Sequence, residues 1–460
     1  MSTASADPPG GPPGAAGPAV GDVLVVDVGP VAHGGHCVAR RDGDGLVLFV
    51  RHTLPGERVR ARVTELGPGG RFVRADAVEI LVPSPGRVVP PCPFSGPGRC
   101  GGCDWQHVAL GAQRDLKAAV VAEQLVRLGG FSPEAVSALG ITCEAVPGDV
   151  DGLRWRTRVE VTVAVGADGR RASGLRRHRS HEVLPVDDCR IATPEVLATG
   201  VFDGPGTHDA AVALDAVAPS VGDPVVVPLV LAAPPRPRRG QRPRGRAATR
   251  RAAGKRHTPA PAGEVPEVTE RVGPHEFTLS ARGFWQVHPG SAAIFTEQVL
   301  AWLDPRPGER ALDLYSGVGL FAVPLADAVG PGGSVLAVEA DRTATRSARR
   351  NLQGRPWADA VAEPVESALA RLVAVDDRPD VVVLDPPRSG AGRKVVEALG
   401  RLAPRAVVYV ACDPAALARD LATARAVGLE LAALRVLDAF PMTHHVECLA
   451  LLVPTADPTD

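Results

Sequence analysis

The chain has 460 residues, too many for one ordinary domain, and its 45% hydrophobic content can fill more than one core. Lys and Arg nearly balance Asp and Glu, leaving a net charge of −1, so nucleic-acid binding has to rest on local patches and not on overall charge. No apolar run reaches the length of a membrane span and the N-terminal stretch has no signal-peptide core, so a cytoplasmic protein without membrane contact is expected; there, its eight cysteines are not expected to form structural disulfides.

Residues 1–19, rich in Gly, Pro and Ala, read as a flexible tail. Residues 20–83 alternate apolar and polar positions in DVLVVDVG, GLVLFV and ERVRARVTEL, with Gly-rich turns between them. About five short strands in that length predict a small closed barrel of the OB type. Its Arg40, Arg51, Arg58, Arg60, Arg62, Arg71 and Arg74 are either a solvated barrel face or contacts for nucleic-acid phosphates.

Residues 84–231 open on CPFSGPGRCGGCDWQH. ALGAQRDLKAAVVAEQLVRLGG then reads as an amphipathic helix closed by Gly129 and Gly130. A second β-rich region follows, with RWRTRVEVTVAV and ASGLRRHRSHEVLPV. Residues 232–263 contain RPRRGQRPRGRAATRRAAGKRH, which has no core-forming residues and reads as a disordered basic insert. Over 264–460, the apolar strands RALDLY, SVLAVEA, DVVVLD and AVVYVAC each precede a helical pattern. This predicts an α/β domain with a parallel, doubly wound, Rossmann-like sheet.

Ligands of such sheets sit at the C-terminal ends of the strands. Asp313-Leu314-Tyr315-Ser316-Gly317-Val318-Gly319 runs a strand into a glycine turn, where missing Cβ atoms allow close approach. Glu339 ends the next strand, where a carboxylate can accept both hydroxyls of a ribose. A nicotinamide dinucleotide would use the same logic, but GVGLF lacks the third glycine of a pyrophosphate-binding turn. S-adenosylmethionine has no phosphate and suits the pattern better. Asp385-Pro386-Pro387-Arg388 follows a third strand, and its prolines hold an irregular loop over the crevice.

Cys412 ends a fourth strand and shares the rim with Asp313, Glu339 and Asp385. Glu447 precedes a final apolar strand in PMTHHVECLALL, and the adjacent His444 and His445 point to opposite faces, which is poor for a metal. A sulfur nucleophile, a carboxylate base and a methyl donor are the parts needed to methylate C5 of a uracil, a carbon that reacts only after something adds at C6. In the N-terminal half, Cys92, Cys100 and Cys103 cluster in a Gly/Pro loop, and Cys189 can supply a fourth sulfur. Four thiolates allow zinc or a [4Fe–4S] cluster. Cys37, Cys143 and Cys448 have no such company and read as packing residues.

Together these motifs resemble the RNA uracil-C5 methyltransferase family, in the branch with an N-terminal TRAM domain and an iron–sulfur cluster. The likeness covers nearly the whole chain. It implies S-adenosylmethionine as cofactor, contacted by Gln286 of Phe284-Trp285-Gln286 and by Tyr315, Gly317, Leu320, Glu339 and Asp385. It implies Cys412 as nucleophile, Glu447 as base, and Cys92, Cys100, Cys103 and Cys189 as ligands of a [4Fe–4S] cluster, with zinc the alternative. It also implies a TRAM barrel over residues 20–83. RNA is the implied partner of what is expected to be a monomer: 23S ribosomal RNA first, transfer RNA second. A non-catalytic RNA-binding or assembly factor is the competing reading, against which the intact Cys412, Glu447 and Asp385 stand. Two positions depart from the family pattern, His288 and Asp413, where asparagine is usual.

Overall fold

A computed structural model describes residues 17–166, 169–206, 208–231 and 259–455. The chain forms two compact units, one reaching to Arg87 without the turn His33–Gly35, the other holding that turn and everything from Val88 onward.

The first unit is a closed barrel of β1 (Val23–Ala32), β2 (His36–Arg40), β3 (Val47–Arg51), β4 (Arg58–Leu66) and β5 (Phe72–Val82), ordered β1-β2-β3-β5-β4. β4 returns to pair with β1, so no edge is left open. The period of two sets its faces: Val59, Ala61 and Val63 point inward, while Arg58, Arg60 and Arg62 form an outer row. Within that barrel Arg51 is tied to Asp76 (2.9 Å) and Arg60 to Glu79 (2.9 Å).

The second unit begins with α1 (Leu110–Arg127) and α2 (Pro133–Ala138), then β6 (Cys143–Ala145). A six-stranded antiparallel sheet follows, built from β7 (Arg158–Val165), β8 (Arg171–Arg176), β9 (Val183–Pro185), β10 (Ala213–Val217), β11 (Val225–Leu231) and β12 (Pro259–Pro261), with α3 (Pro194–Ala198) beside it. Residues 232–258 of the expected disordered insert lie outside the described residues. Its end corrects the expectation: Pro259–Pro261 is a strand on β11. Two prolines are tolerated because β12 is the edge of the sheet.

The remaining elements are the hairpin β13 (Glu267–Val272) and β14 (His275–Ser280), then α4 (Ser291–Leu303), β15 (Arg310–Leu314), α5 (Ala322–Val329), β16 (Ser334–Glu339), α6 (Arg342–Asn351), β17 (Ala358–Ala362), α7 (Val365–Ala374), β18 (Val381–Leu384), α8 (Arg393–Leu402), β19 (Ala406–Ala411), α9 (Pro414–Ala426), β20 (Leu429–Asp438) and β21 (Glu447–Pro454). They form an eight-stranded sheet ordered β17-β16-β15-β18-β19-β21-β20-β6. Both faces are buried: Ala311, Val381, Val383, Val408 and Val410 pack with α4 and α5, while Leu312, Leu314, Val382, Leu384 and Val407 pack with α7, α8 and α9. Strands buried on both faces explain the unbroken apolar runs.

The sheet is not wholly parallel. β21 runs antiparallel between β19 and β20, because the short link from Asp438 to Glu447 can only make a hairpin. β6 joins the far edge, parallel to β20. Strand order reverses between β15 and β18, which opens a crevice at their C-terminal ends. An antiparallel strand enters where its parallel neighbours leave, so the start of β21 lies at that same rim.

Candidate active site

The turn after β15 is bent for close approach. Tyr315 has φ +61°, Gly317 +54° and Gly319 +91°. The left-handed backbone costs Tyr315 on the order of 1 kcal/mol or more. Backbone bonds from Ser316 N–H to Val338 O (3.1 Å) and from Gly319 N–H to Ser316 O (2.8 Å) impose it. A Cβ on Gly317 would enter open space, room that a nucleoside can take. The Glu339 carboxylate accepts from Gly317 N–H (3.0 Å) and Asp341 N–H (2.7 Å), so it is held at the rim. Asp313 is fully buried; its Oδ2 accepts the Ala322 N–H at 2.8 Å, and its Oδ1 has no protein partner. Burial first, then Asp385 and Glu339, push its carboxyl well above the usual range. Leu320 and Gln286 are buried, and Gln286 lies in the segment between β14 and α4 beside the exposed Phe284.

Asp385 leaves the end of β18, its N–H on Leu314 O at 3.2 Å. Desolvation pushes its carboxyl up to about 7. Cys412 leaves the end of β19. Ala411 pairs with Cys448 across β19 and β21, so one more step of the same register sets Cys412 opposite Glu447. The Cys412 thiol is pushed up to about 12, by burial first and then by Glu447 and Asp385, with Arg388 opposing. Glu447 is buried, and its carboxyl lies well above the usual range through desolvation and Asp385, again opposed by Arg388. The sequence-predicted nucleophile, base and crevice carboxylate therefore form one electrostatic group around the Arg388 cation.

The supports of this group were not legible as motifs. Arg388 Nη2 lies 3.4 Å from His445 Nε2. Burial, then His444 and Arg388, push the His445 imidazole down to about 3, so it is neutral and accepts. His444 Nδ1 is 2.6 Å from Asp104 Oδ2. Trp105 N–H donates to Met442 O at 3.0 Å. From α1, Gln113 Oε1 accepts the Met442 N–H at 2.8 Å, and Lys117 Nζ donates to Phe440 O at 3.1 Å and to Asp438. The polar side chains buried on one face of α1 were the available signal; their partners lie more than 300 residues away. The two departures also have a place. Asp413 caps α9, its Oδ1 accepting the Ala416 N–H at 2.8 Å. His288 stacks on Trp155 at 5.9 Å, with its imidazole pushed down by burial.

Cys92, Cys100, Cys103 and Cys189 line one cavity of about 280 Å³, together with Arg156 and Arg190. Burial raises the first three thiols, and their neighbouring sulfurs raise them further. The N–H groups of Phe94 and Gly102 pull Cys92 and Cys100 back. Among the described residues, no three His, Cys, Asp or Glu side chains are spaced for a single metal ion.

A switch-point crevice with a glycine turn and a carboxylate at the end of the next strand fits the S-adenosylmethionine-dependent methyltransferase class, and a five-stranded barrel precedes it. The family model tRNA (Uracil-5-)-methyltransferase matches residues 288–454, and the TRAM domain model matches residues 19–78. The chain is 49% identical to a Streptomyces coelicolor protein called an uncharacterized RNA methyltransferase, over 95% of this chain and 94% of that one. It is 34% identical to the 23S rRNA (uracil(1939)-C(5))-methyltransferase RlmD of Chromohalobacter salexigens, over 92% and 87%. The crystal structure of the Pyrococcus abyssi tRNA (uracil-54, C5)-methyltransferase with S-adenosyl-L-homocysteine shares the fold, with a TM-score of 0.65 at 20% identity, covering 93% of this chain and 99% of that one. The chain belongs to the RNA uracil-5-methyltransferase family.

Proposed function

We propose that the enzyme makes 5-methyluridine in 23S ribosomal RNA, in the cytoplasm, through a covalent bond between Cys412 and C6 of the target uracil. The observation that carries this reading is the cluster of Cys412, Glu447, Asp385 and Arg388 at the ends of β18, β19 and β21, where Ala411 pairs with Cys448. The ribosomal substrate rests on the RlmD relative, which aligns over most of both chains.

Gln286, Tyr315, Gly317, Leu320, Glu339 and Asp385 hold the cofactor, which supplies a methyl group as an electrophile. Cys412, as thiolate, adds to C6, and the ring's π electrons move toward O4, leaving C5 able to take the methyl. Arg388 is the cation facing the thiol and favours its ionisation. Asp385, titrating near neutrality, exchanges hydrogen bonds with the ring's polar edge. Glu447, with its raised pKa, is suited to remove the C5 proton, after which the Cys412 thiolate leaves by elimination. A stacked uracil exposes neither carbon, so the nucleotide enters flipped out or already unpaired. The outer Arg row of the barrel offers contacts for RNA phosphates. In this reading Cys92, Cys100, Cys103 and Cys189, which line one cavity, would hold a [4Fe–4S] cluster.

RNA carrying 5-fluorouridine tests the covalent step, because fluorine cannot leave as a proton and elimination stalls. The wild-type enzyme with its methyl donor is expected to form a denaturation-resistant adduct, and Cys412→Ala none. Glu447→Gln is expected to accumulate the methylated adduct on ordinary RNA. Adducts that persist in Cys412→Ala would refute the mechanism. Mass mapping of uridines in a strain lacking the enzyme tests the substrate: methyl loss confined to transfer RNA would replace the ribosomal assignment.

A further inference from the structure

Asp420 lies on α9, the helix that starts directly behind Cys412, and its side chain is buried. One oxygen, Oδ2, accepts from the Tyr409 hydroxyl (2.7 Å), the Ala391 N–H (2.8 Å) and the Gly392 N–H (3.2 Å). Ala391 N–H also lies 2.9 Å from the Tyr409 oxygen. These donors come from two places. Tyr409 is on β19, three residues before Cys412. Ala391 and Gly392 end the loop that begins with Asp385 and carries Arg388. That loop folds back on itself through Gly390 N–H to Pro387 O at 2.8 Å. Gly390 has φ +87°, and a Cβ there would stand 2.7 Å from Asp420 Oδ2. Glycine is thus required both by the turn and by the approach of the carboxylate.

We propose that Asp420 is a positioning residue for methyl transfer: its carboxylate ties the strand and helix that flank Cys412 to the loop that carries Asp385 and Arg388, and so fixes the distance between the nucleophile and the groups that hold the uracil. Its hydrogen bonds go to Tyr409, Ala391 and Gly392 and not to Cys412, and it touches the crevice only through its charge on Tyr315. It acts by joining two carriers that the chain order separates, since Asp385 and Cys412 otherwise meet only through the ends of neighbouring strands. A buried acceptor with several donors is a stiff joint, and a misplacement of about 1 Å at a reacting centre costs on the order of 100-fold in rate.

This inference rests on the Cys412 mechanism, and its test separates the two. Asp420→Asn keeps the size of the side chain but turns one face into a donor. It is expected to lower kcat, and the rate of adduct formation with 5-fluorouridine RNA, on the order of 100-fold. Binding of S-adenosyl-L-homocysteine by calorimetry is expected to stay within about threefold of wild type, because Glu339 and the glycine turn are untouched. Tyr409→Phe removes a single donor; should Asp420→Asn not fold, this variant is expected to show the same split at on the order of 10-fold. Wild-type adduct kinetics in either folded variant, or a cofactor affinity that falls in step with kcat, would overturn the inference. A wild-type enzyme that forms no adduct would instead overturn the covalent mechanism.

Discussion

At the scale of single residues, the site gathers acids that resist ionisation. Asp313, Asp385 and Glu447 are all raised, chiefly by desolvation. An acid whose folded pKa exceeds its unfolded value adds stability below the unfolded value and loses it as pH rises through the folded one. For Asp385 the window runs from about 4, the ordinary aspartate value, to about 7. Asp385→Asn has nothing to lose in that window. Relative to wild type it is expected to gain stability between pH 4 and pH 7, levelling at about 4 kcal/mol above pH 7. Denaturant unfolding at pH 5 and pH 8 measures this, and a difference that shrinks with rising pH would contradict it. If Asp385 binds the uracil as proposed, activity is expected to fall on the order of 100-fold in the same variant, since the carboxyl is lost.

Among elements, the loop between β20 and β21 carries most of the unpredicted structure. It presents His444, His445 and then Glu447, and α1 holds it from outside the sheet. Lys117 and Asp438 are both wholly buried, and Arg114 reaches the second Asp438 oxygen at 3.4 Å. Removing the lysine leaves a buried carboxylate with only that longer partner. Lys117→Met is therefore expected to cost about 3 kcal/mol, and Lys117→Met with Asp438→Leu is expected to recover part of it, because two apolar groups need no pairing. Equilibrium unfolding of the single and double variants decides this; equal losses would mean that the pair is not the joint. The same variants are expected to slow proton removal from C5, since Glu447 follows the loop directly.

On the scale of the whole molecule, the barrel has its own core, including Leu48, Val50, Val59 and Val73. In the second unit, the segment carrying the cysteines runs directly into the site's supports. Cys103 is followed by Asp104 on His444 and by Trp105 on Met442, and Trp155, Ile191 and Met442 pack together beside Cys103 and Cys189. Anaerobic reconstitution with iron and sulfide is expected to load both in equal amounts, and Cys103→Ser to lose them. Zinc bound without sulfide would sink the cluster assignment. Cofactor binding by the apo protein, measured in parallel, is expected to persist because no crevice residue lines the cavity.

The sequence alone determined whatever is written in local patterns. Period-two alternation set the barrel, apolar runs set β15, β16, β18 and β19, and strand-end positions placed Glu339, Asp385 and Cys412 on one rim. Tertiary structure decided what depends on distant pairing. β6 joins a sheet whose other strands begin more than 150 residues later, and β12 folds back onto β11. Asp104, Lys117, Tyr409 and Asp420 look like ordinary polar residues in the chain. Each becomes a support only because folding buries it beside a partner, and a buried polar group must find one. Periodicity records which face of an element is buried, but not which residue waits on the other side.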